Sequence, residues 1–284
     1  MKELSKFSEI INDYDAYIID LWGVIHDGHN LYPGVKQTMD KLKDQGKKCI
    51  FLSNAPRRAS KVKAVLGKFG ITEDYYIDAV SSGEVAYQII SKLGAKKYFY
   101  IGPEKDRDLM NGSGLQEVAA NEAEFAVVTG FDEDNSTLEE KLPQIKEALK
   151  AGLKMYCVNP DLIVVRQDGT KMLCAGIIGN YYKEQGGEVE FIGKPYSQVY
   201  EYVLNIFNKG SGPELSSPVC YSDFGKRILA IGDGLETDIK GANKANIDSL
   251  LVLGGILKAE KRALDVVMHE IGATPTYIAP NFGW

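Results

Sequence analysis

The chain alternates between short apolar runs and segments in which apolar residues recur at helical spacing. Residues 17–19 form an apolar run that ends at Asp20, and residues 35–45 follow with a helical pattern. The apolar run at residues 49–52 and the helical pattern at residues 61–69 repeat this order. Such alternation is typical of βα units around a parallel sheet. We therefore expect an α/β fold.

The same alternation continues to the end of the chain. Ser81 and Glu84, like Ser136 and Glu139, have the spacing of capping boxes that begin helices. Strands are predicted at residues 98–101, 125–128, 155–158, 164–165, 189–192, 228–231 and 250–252, helices at residues 81–93, 136–149, 198–207, 237–245 and 259–269, a tight turn at residues 167–169, and a Gly-, Ser- and Pro-rich loop at residues 209–225.

Composition and charge narrow the classes of protein. The chain has 284 residues, 44% hydrophobic and 25% charged, so it can bury a sizeable core. Its 33 Lys and Arg residues against 39 Asp and Glu residues give a net charge of −6, which argues against nucleic acid or an anionic membrane as a partner. No apolar run approaches the roughly 20 residues of a membrane span, and the first residues lack the apolar core of a secretion signal. The four cysteines form no C-x-x-C pair, so we expect free thiols in a cytoplasmic protein.

Four polar residues lie directly after predicted strands. They are Asp20, Ser53, Lys194 and Asp233. Because ligands bind beyond the carboxyl ends of parallel strands, we expect these side chains to converge at one edge of the sheet. Carboxylates are hard oxygen ligands suited to Mg²⁺, while a hydroxyl and an ammonium suit phosphate oxygens. Each residue alone is more often a cap or turn residue, so the prediction depends on their order and placement.

These residues stand in four motifs that resemble those of the haloacid dehalogenase (HAD) superfamily. About 140 residues separate the second motif from the third, enough for a complete α/β domain. This separation resembles class IIA, whose members carry a large α/β cap there and include 4-nitrophenylphosphatase-like and sugar- or nucleotide-phosphatase-like proteins. The resemblance implies a doubly wound parallel-sheet (Rossmann-like) HAD core at residues 1–84 and 188–284, with an inserted α/β cap domain at residues 85–187. The motifs are Asp20-Leu21-Trp22-Gly23-Val24, Leu52-Ser53-Asn54, Gly193-Lys194-Pro195 and Gly232-Asp233-x-x-x-Thr237-Asp238.

The resemblance implies a Mg²⁺-dependent phosphohydrolase that acts on a small phosphorylated metabolite: a sugar phosphate, a nucleotide, or an aryl or acyl phosphate. Asp20 would attack phosphorus and form an aspartyl-phosphate, which splits one difficult displacement into two easier ones. Ser53 and Asn54 would hold phosphoryl oxygens, and Lys194 would steady Asp20 and the phosphate. The implied metal ligands are Asp20, the backbone carbonyl of Trp22, Asp233 and, through water or as an outer neighbour, Asp238.

Position 22 departs from the family pattern. The phosphatases that the chain resembles carry a second Asp two residues after the nucleophile, where it protonates the leaving oxygen and then activates water, and here Trp22 stands at that position. An indole cannot exchange a proton near neutral pH. General acid–base catalysis is typically worth 10²–10⁴-fold. Three interpretations remain open: a neighbouring group substitutes, the substrate has a good leaving group, or the site belongs to a catalytically weak or inactive ligand-binding or regulatory protein.

Three residues near the site are candidates to replace the missing acid. His26 is our first choice as a catalytic group because its ordinary pKa is nearest to neutrality, ahead of Asp27 and Glu236. The alternative for His26 is a place in the turn after the first strand, without a chemical role.

The predicted cap is expected to select the substrate, because binding energy away from phosphorus would be collected there. In the class that the chain resembles, the loop Asn159-Pro160-Asp161 and the stretch 166–177 would face the core site. We expect a small phosphorylated molecule as ligand, neither nucleic acid nor membrane as partner, and a homodimer formed through the cap. A nucleotide-binding Rossmann protein is the alternative α/β interpretation.

Overall fold

The computed structural model describes residues 1–209, 227–254 and 263–284. Residues 210–225 of the loop predicted at residues 209–225, and residues 259–262 of the helix predicted at residues 259–269, lie outside the described residues. Within the described ranges, no helix combines the length and the apolar character needed to cross a membrane. The strands are β1 (Lys2–Glu3), β2 (Ala16–Ile19), β3 (Lys48–Ser53), β4 (Asp78–Ser81), β5 (Lys97–Ile101), β6 (Gln116–Glu117), β7 (Phe125–Val128), β8 (Lys154–Cys157), β9 (Ile163–Val165), β10 (Lys171–Leu173), β11 (Val189–Phe191), β12 (Ile228–Gly232), β13 (Asp248–Val252) and β14 (Tyr277–Ala279). The helices are α1 (Val35–Asp44), α2 (Ala59–Lys68), α3 (Ser82–Ile90), α4 (Leu138–Lys150), α5 (Ala175–Glu184), α6 (Ser197–Lys209), α7 (Lys240–Lys244) and α8 (Leu264–Ile271).

Seven parallel strands form the core sheet, in the order β1-β14-β13-β12-β2-β3-β4. Apart from the short edge strand β1, the strands run outwards in both directions from the neighbours β2 and β12. This is the doubly wound arrangement, in which ligands bind where the chain order reverses. The predicted α/β fold class with a Rossmann-like core is confirmed, and the switch point lies between β2 and β12.

The central strands of the core sheet are buried on both faces. All four residues of β2 are buried, as expected for a parallel strand covered by helices on each side. Tyr17 and Ile19 pack into one apolar cluster with α1 and α2. Ala16 and Ile18 pack into another cluster with α3 and α6.

The cap contains a five-stranded parallel sheet in the order β11-β8-β7-β5-β6. Helices α4 and α5 cover one face of this sheet. From the other face, Tyr98, Phe125 and Tyr156 join the same apolar cluster as the core helices α3 and α6. An antiparallel hairpin of β9 and β10 extends the cap. The core and the cap therefore share one continuous apolar cluster.

The predicted domain boundaries need correction at both ends of the cap. Helix α3 packs against β4 and α6 of the core, so the predicted start of the cap at residue 85 falls inside a core helix. Strand β11 pairs with β8 in the cap sheet, so the predicted return to the core at residue 188 comes too early. The apolar pattern of β11 suits either sheet, and only its pairing partner decides between them.

The two predicted capping boxes have different outcomes. Ser81 is the N-cap of α3, and its hydroxyl accepts a hydrogen bond from the Glu84 backbone N–H at 3.1 Å, as predicted. Glu84 instead pairs with Arg58 at 2.8 Å, so only half of the box forms. The box predicted at Ser136 is wrong, because Ser136 Oγ accepts from the backbone N–H of Glu133 and α4 begins one residue later than that box requires.

Candidate active site

The switch point between β2 and β12 brings the predicted strand-end residues together. Asp20 follows β2, and Asp233 follows β12. The Asp20 backbone N–H donates to Ile231 O at 2.9 Å, which fixes the two strand ends in register. Ser53 ends β3, the neighbour of β2 on its other side. Three of the four strand-end residues therefore lie at one edge of the core sheet, as the sequence predicts.

Lys194 reaches this edge from the segment that follows β11. Its buried ammonium donates to Asp20 Oδ1 at 2.5 Å, to Asp238 Oδ1 at 2.7 Å and to Leu52 O at 3.1 Å. Burial lowers the pKa of Lys194, but the two carboxylates outweigh burial and raise the pKa above its ordinary value. Burial also raises the pKa of Asp20 well above its usual range, and Lys194 opposes this effect. The charged ammonium thus favours an ionised Asp20.

Three buried carboxylates, those of Asp20, Asp233 and Asp238, have oxygens within 4.8 Å of one another. Like charges this close repel, so a cation that binds between them is stabilised. The donors are oxygens, the ligand type that Mg²⁺ prefers, and the backbone carbonyl of Trp22 belongs to the loop that follows Asp20. Asp238 is engaged at both oxygens, because Oδ1 accepts from Lys194 and Oδ2 accepts from a backbone N–H at 3.1 Å. These residues fit a magnesium ion, with Asp238 as an outer neighbour.

Gly23 sets how closely the loop after β2 approaches Asp233. A Cβ at this position would lie 2.1 Å from Asp233 Oδ2, far inside any real contact. The φ angle of Gly23 is +86°, a conformation that glycine adopts at little cost. The Asp233 carboxylate is therefore seated against the backbone of the same loop that carries Asp20 and Trp22.

Ser53 and Asn54, which are predicted to bind phosphate, differ in whether their side chains are free to do so. Ser53 Oγ accepts from the backbone N–H of Ala55 at 3.2 Å, so its hydroxyl proton can donate to another oxygen. Asn54 Oδ1 accepts from the Lys194 backbone N–H at 2.7 Å, and Asn54 Nδ2 donates to Asp161 Oδ1 at 2.7 Å. The Asn54 side chain thus ties the Lys194 segment to the cap. The phosphate-binding role of Asn54 stays a prediction for its backbone N–H, because its side-chain amide is already engaged with the protein.

Trp22 projects its side chain from the core to the cap. Its indole Nε1 donates to the backbone carbonyl of Val165 in β9 at 2.9 Å. The indole N–H is therefore used in a contact between the two parts of the molecule. The metal role predicted for Trp22 concerns its backbone carbonyl and stays a prediction.

His26 has the contacts of a packed turn residue. Its Nδ1 accepts from the Gly28 backbone N–H at 3.0 Å, and its ring stacks on Phe69 with centroids 5.3 Å apart. Burial lowers the pKa of His26 to about 4, so the ring is neutral at neutral pH. This corrects the catalytic role predicted for His26, because a group that titrates this low is a poor proton donor at neutral pH.

The other two candidates for the missing acid differ from each other. Burial raises the pKa of Asp27, but hydrogen bonds from the backbone N–H groups of Asn30 and His29 outweigh burial and hold the pKa below its usual value. Asp27 is therefore ionised and cannot donate a proton. Glu236 is exposed and lines the cleft at the start of a π-helical turn (Leu235–Ile239), so it remains a candidate.

A cleft of about 1060 Å³ lies between the core and the cap and contains Asp20, Lys194 and Asp233. Both cap segments that were predicted to face the site line this cleft. From the stretch 166–177, the lining residues are Arg166, Lys171, Met172, Leu173, Cys174 and Ile177, and from the loop they are Asn159, Pro160 and Asp161.

Asp161 is a site residue whose role the sequence did not indicate. Burial raises its pKa to about 6, whereas the Lys194 charge and the hydrogen bond from Asn54 lower it. The available signal was its place in the loop after the apolar strand β8, which the family resemblance directs towards the core site, although Asp161 stands four residues beyond Cys157 and Asp20 follows β2 directly.

Comparisons with known proteins agree with this architecture. Residues 17–116 match the family model described as haloacid dehalogenase-like hydrolase, and residues 191–284 match one described as HAD-hydrolase-like. A 4-nitrophenylphosphatase of Schizosaccharomyces pombe is 24% identical over an alignment of 298 positions, which covers 96% of this chain and 93% of that protein.

Solved structures show the same likeness. A haloacid dehalogenase-like hydrolase from Brucella suis superposes with a TM-score of 0.80 at 26% identity, covering 98% of this chain and 99% of that one. A glycerol phosphate phosphatase from Mycobacterium tuberculosis in complex with magnesium superposes with a TM-score of 0.69 at 25% identity, covering 95% of this chain and 75% of that one. Because the two family models lie on both parts of the core and describe the same kind of hydrolase, the chain belongs to the haloacid dehalogenase superfamily of hydrolases.

Proposed function

We propose that this chain is a Mg²⁺-dependent phosphohydrolase that acts on a small phosphorylated metabolite, with Asp20 as the nucleophile. The observation that carries the proposal is the convergence of Asp20, Lys194, Asp233 and Asp238 at the switch point of the core sheet. A nucleophile, a fixed positive charge and a set of oxygen donors at one cleft are the parts that phosphoryl transfer requires.

Asp20 has the environment of an oxygen nucleophile. One of its carboxylate oxygens attacks phosphorus, and the bond from phosphorus to the leaving oxygen breaks, which gives an aspartyl-phosphate and the departing group. Water then attacks phosphorus in that intermediate and loses a proton to solvent, and the bond from phosphorus to the Asp20 oxygen breaks, which releases phosphate and restores the Asp20 carboxylate. Throughout, Lys194 holds the carboxylate in one orientation and offsets the negative charge that accumulates near it.

Magnesium is the metal that the donor set fits. Asp20, Asp233 and the backbone carbonyl of Trp22 would hold it, and Asp238 would support it from behind. When bound, the ion supplies positive charge that neutralises phosphoryl oxygens. The magnesium complex of the M. tuberculosis phosphatase supports this choice of metal for a related fold.

The contacts of Trp22 and His26 narrow the class of leaving group. The Trp22 indole is engaged with Val165, and the pKa of His26 is lowered to about 4, so neither supplies a proton at neutral pH. A leaving oxygen that is stable as an anion needs no such proton. With Glu236 as the remaining candidate acid, at an exposed position of the cleft, we propose aryl and acyl phosphates as the preferred substrates, ahead of sugar phosphates and other alkyl esters.

Phosphate release from 4-nitrophenyl phosphate and acetyl phosphate tests the proposal. We expect release that depends on added magnesium, stops with a chelator, and falls by at least about 10³-fold in Asp20→Asn, because an amide is not a nucleophile. Asp13→Asn, at an exposed position before β2, is the matched control and should retain full activity. Equal activity in Asp20→Asn would refute the proposed nucleophile. Retained phosphate binding without turnover would instead favour a ligand-binding protein.

A further inference from the structure

The cap hairpin, defined as residues 163–173 with β9, β10 and the turn between them, is attached to the core by Trp22. The hydrogen bond from Trp22 Nε1 to Val165 O joins residues 143 positions apart in sequence. A second contact lies beside it, where the backbone N–H of Gln167 donates to Asp27 Oδ2 at 3.4 Å. Both core partners belong to the loop that follows the nucleophile, so the hairpin is attached next to Asp20.

The Trp22 ring has a fixed place in that loop. A Cβ on Gly28 would lie 2.9 Å from the ring, and Gly28 has φ +91°, so the backbone there approaches the indole as only glycine allows. The ring meets His26 edge-on with centroids 6.2 Å apart, and His26 in turn stacks on Phe69 at the end of α2. This row of three rings anchors the indole to the body of the core.

The hairpin is also fixed to the cap on its far side. Arg166 Nη2 donates to Asp134 Oδ2 at 2.7 Å, and the backbone N–H of Cys174 donates to Leu162 O at 2.9 Å across the base of the hairpin. With Trp22 on one side and Asp134 on the other, the hairpin bridges the cleft. Its apolar side chains then form a wall of the cleft together with the indole; they are Ile163, Val164, Val165, Met172 and Leu173.

We propose that Trp22 is a specificity-determining residue that holds this apolar wall in place for an aromatic leaving group. The core edge, with Lys194 and the carboxylates, takes the phosphate, so the rest of the substrate must extend towards the cap. There it meets an indole and aliphatic side chains, which bind a flat apolar ring well. The inference rests on the proposed phosphohydrolase function, narrows its substrates from aryl and acyl phosphates to aryl phosphates, and names the residue that selects them.

Two substrates with good leaving groups separate the ring contact from the chemistry. 4-Nitrophenyl phosphate has an aromatic ring, whereas acetyl phosphate has none, and neither requires an acid. We expect Trp22→Ala to lower kcat/KM for 4-nitrophenyl phosphate at least tenfold more than it lowers kcat/KM for acetyl phosphate, because an effect on the loop that carries the metal ligands would lower both alike. Trp22→Phe keeps a ring and loses the N–H, so we expect KM for 4-nitrophenyl phosphate to rise roughly fivefold more than KM for acetyl phosphate. Trp284→Phe, which changes the other tryptophan of the chain, is the control.

Amide hydrogen exchange measures the attachment of the cap hairpin to the core independently of enzymatic turnover. In Trp22→Phe, the amides of the cap hairpin should exchange faster, while those of β2 and β12 keep their wild-type rates. If Trp22→Ala still turns over and keeps the wild-type ratio of kcat/KM for 4-nitrophenyl phosphate to kcat/KM for acetyl phosphate, this inference is wrong and the proposed function stands. Absence of turnover in the wild type overturns the proposed function, and the substrate preference with it.

Discussion

The close approach of Gly23 to Asp233 predicts that a single methyl group disables metal binding. In Gly23→Ala, the new Cβ would lie 2.1 Å from Asp233 Oδ2 and 2.3 Å from its Cγ. A carbon and an oxygen in contact need about 3.0 Å or more, so the carboxylate must retreat by roughly 1 Å. Magnesium demands ligand distances near 2.0–2.1 Å and tolerates no displacement of this size.

The expected cost has two parts that can be measured separately. Placing alanine at φ +86° destabilises the fold by about 1–2 kcal/mol, because its Cβ crowds the backbone. Losing Asp233 as a ligand weakens magnesium binding by at least about 100-fold, since even outer contacts of a metal site are worth 10–100-fold. Only the second part bears on the site.

Gly34→Ala isolates the backbone part. Gly34 has φ +83°, and a Cβ there would meet nothing closer than Gly283 Cα at 3.5 Å. Calorimetric titration with magnesium, with circular dichroism to confirm folding, should show near wild-type affinity for Gly34→Ala and an at least hundredfold weaker affinity for Gly23→Ala. Equal affinities in the two variants would refute the argument that Asp233 is seated against Gly23 to hold the metal.

Two further predictions concern charged groups of the site. The pKa of Asp161 is raised from 3.8 to about 6, so the folded state disfavours its ionised form and loses stability as the pH rises through this interval. Asp161→Asn should therefore raise the free energy of unfolding at pH 8, by at most about 3 kcal/mol, and raise the melting temperature with it. At pH 4 both quantities should be nearly unchanged. An equal gain at both pH values would contradict this assignment. Lys194→Met leaves Asp20 and Asp238 without their shared partner and should destabilise the fold by about 3–5 kcal/mol in thermal denaturation, with a larger recovery on adding magnesium than the wild type shows. A variant as stable as the wild type without magnesium would show that the ammonium does not balance these carboxylates.

The sequence predicts the positions of those site residues that directly follow a strand. Asp20, Ser53 and Asp233 each follow an apolar run, and a parallel sheet brings the ends of such runs to one edge whatever the loops do. The metal cluster and the ion pair with Lys194 follow from that rule together with the motifs.

The local pattern of apolar and polar residues does not predict where a side chain points or which distant residue it contacts. Asn54 is directed to Lys194 and Asp161, which lie 140 and 107 residues away in sequence. The catalytic role predicted for His26 is wrong because its ring is buried against Phe69, which lowers its pKa. No spacing in the sequence indicates this contact. In both cases the deciding partner comes from another element of the fold.

The position of β11 limits how cap domains can be exchanged between members of this superfamily. This strand is hydrogen-bonded into the cap sheet, and the chain passes from its end at Phe191 to Lys194 with hardly any intervening backbone. The ammonium that balances Asp20 is thus placed by an element of the inserted domain. A chimera that received a cap from another family member would have to preserve this crossing, or the core would lose its charge balance together with its old specificity.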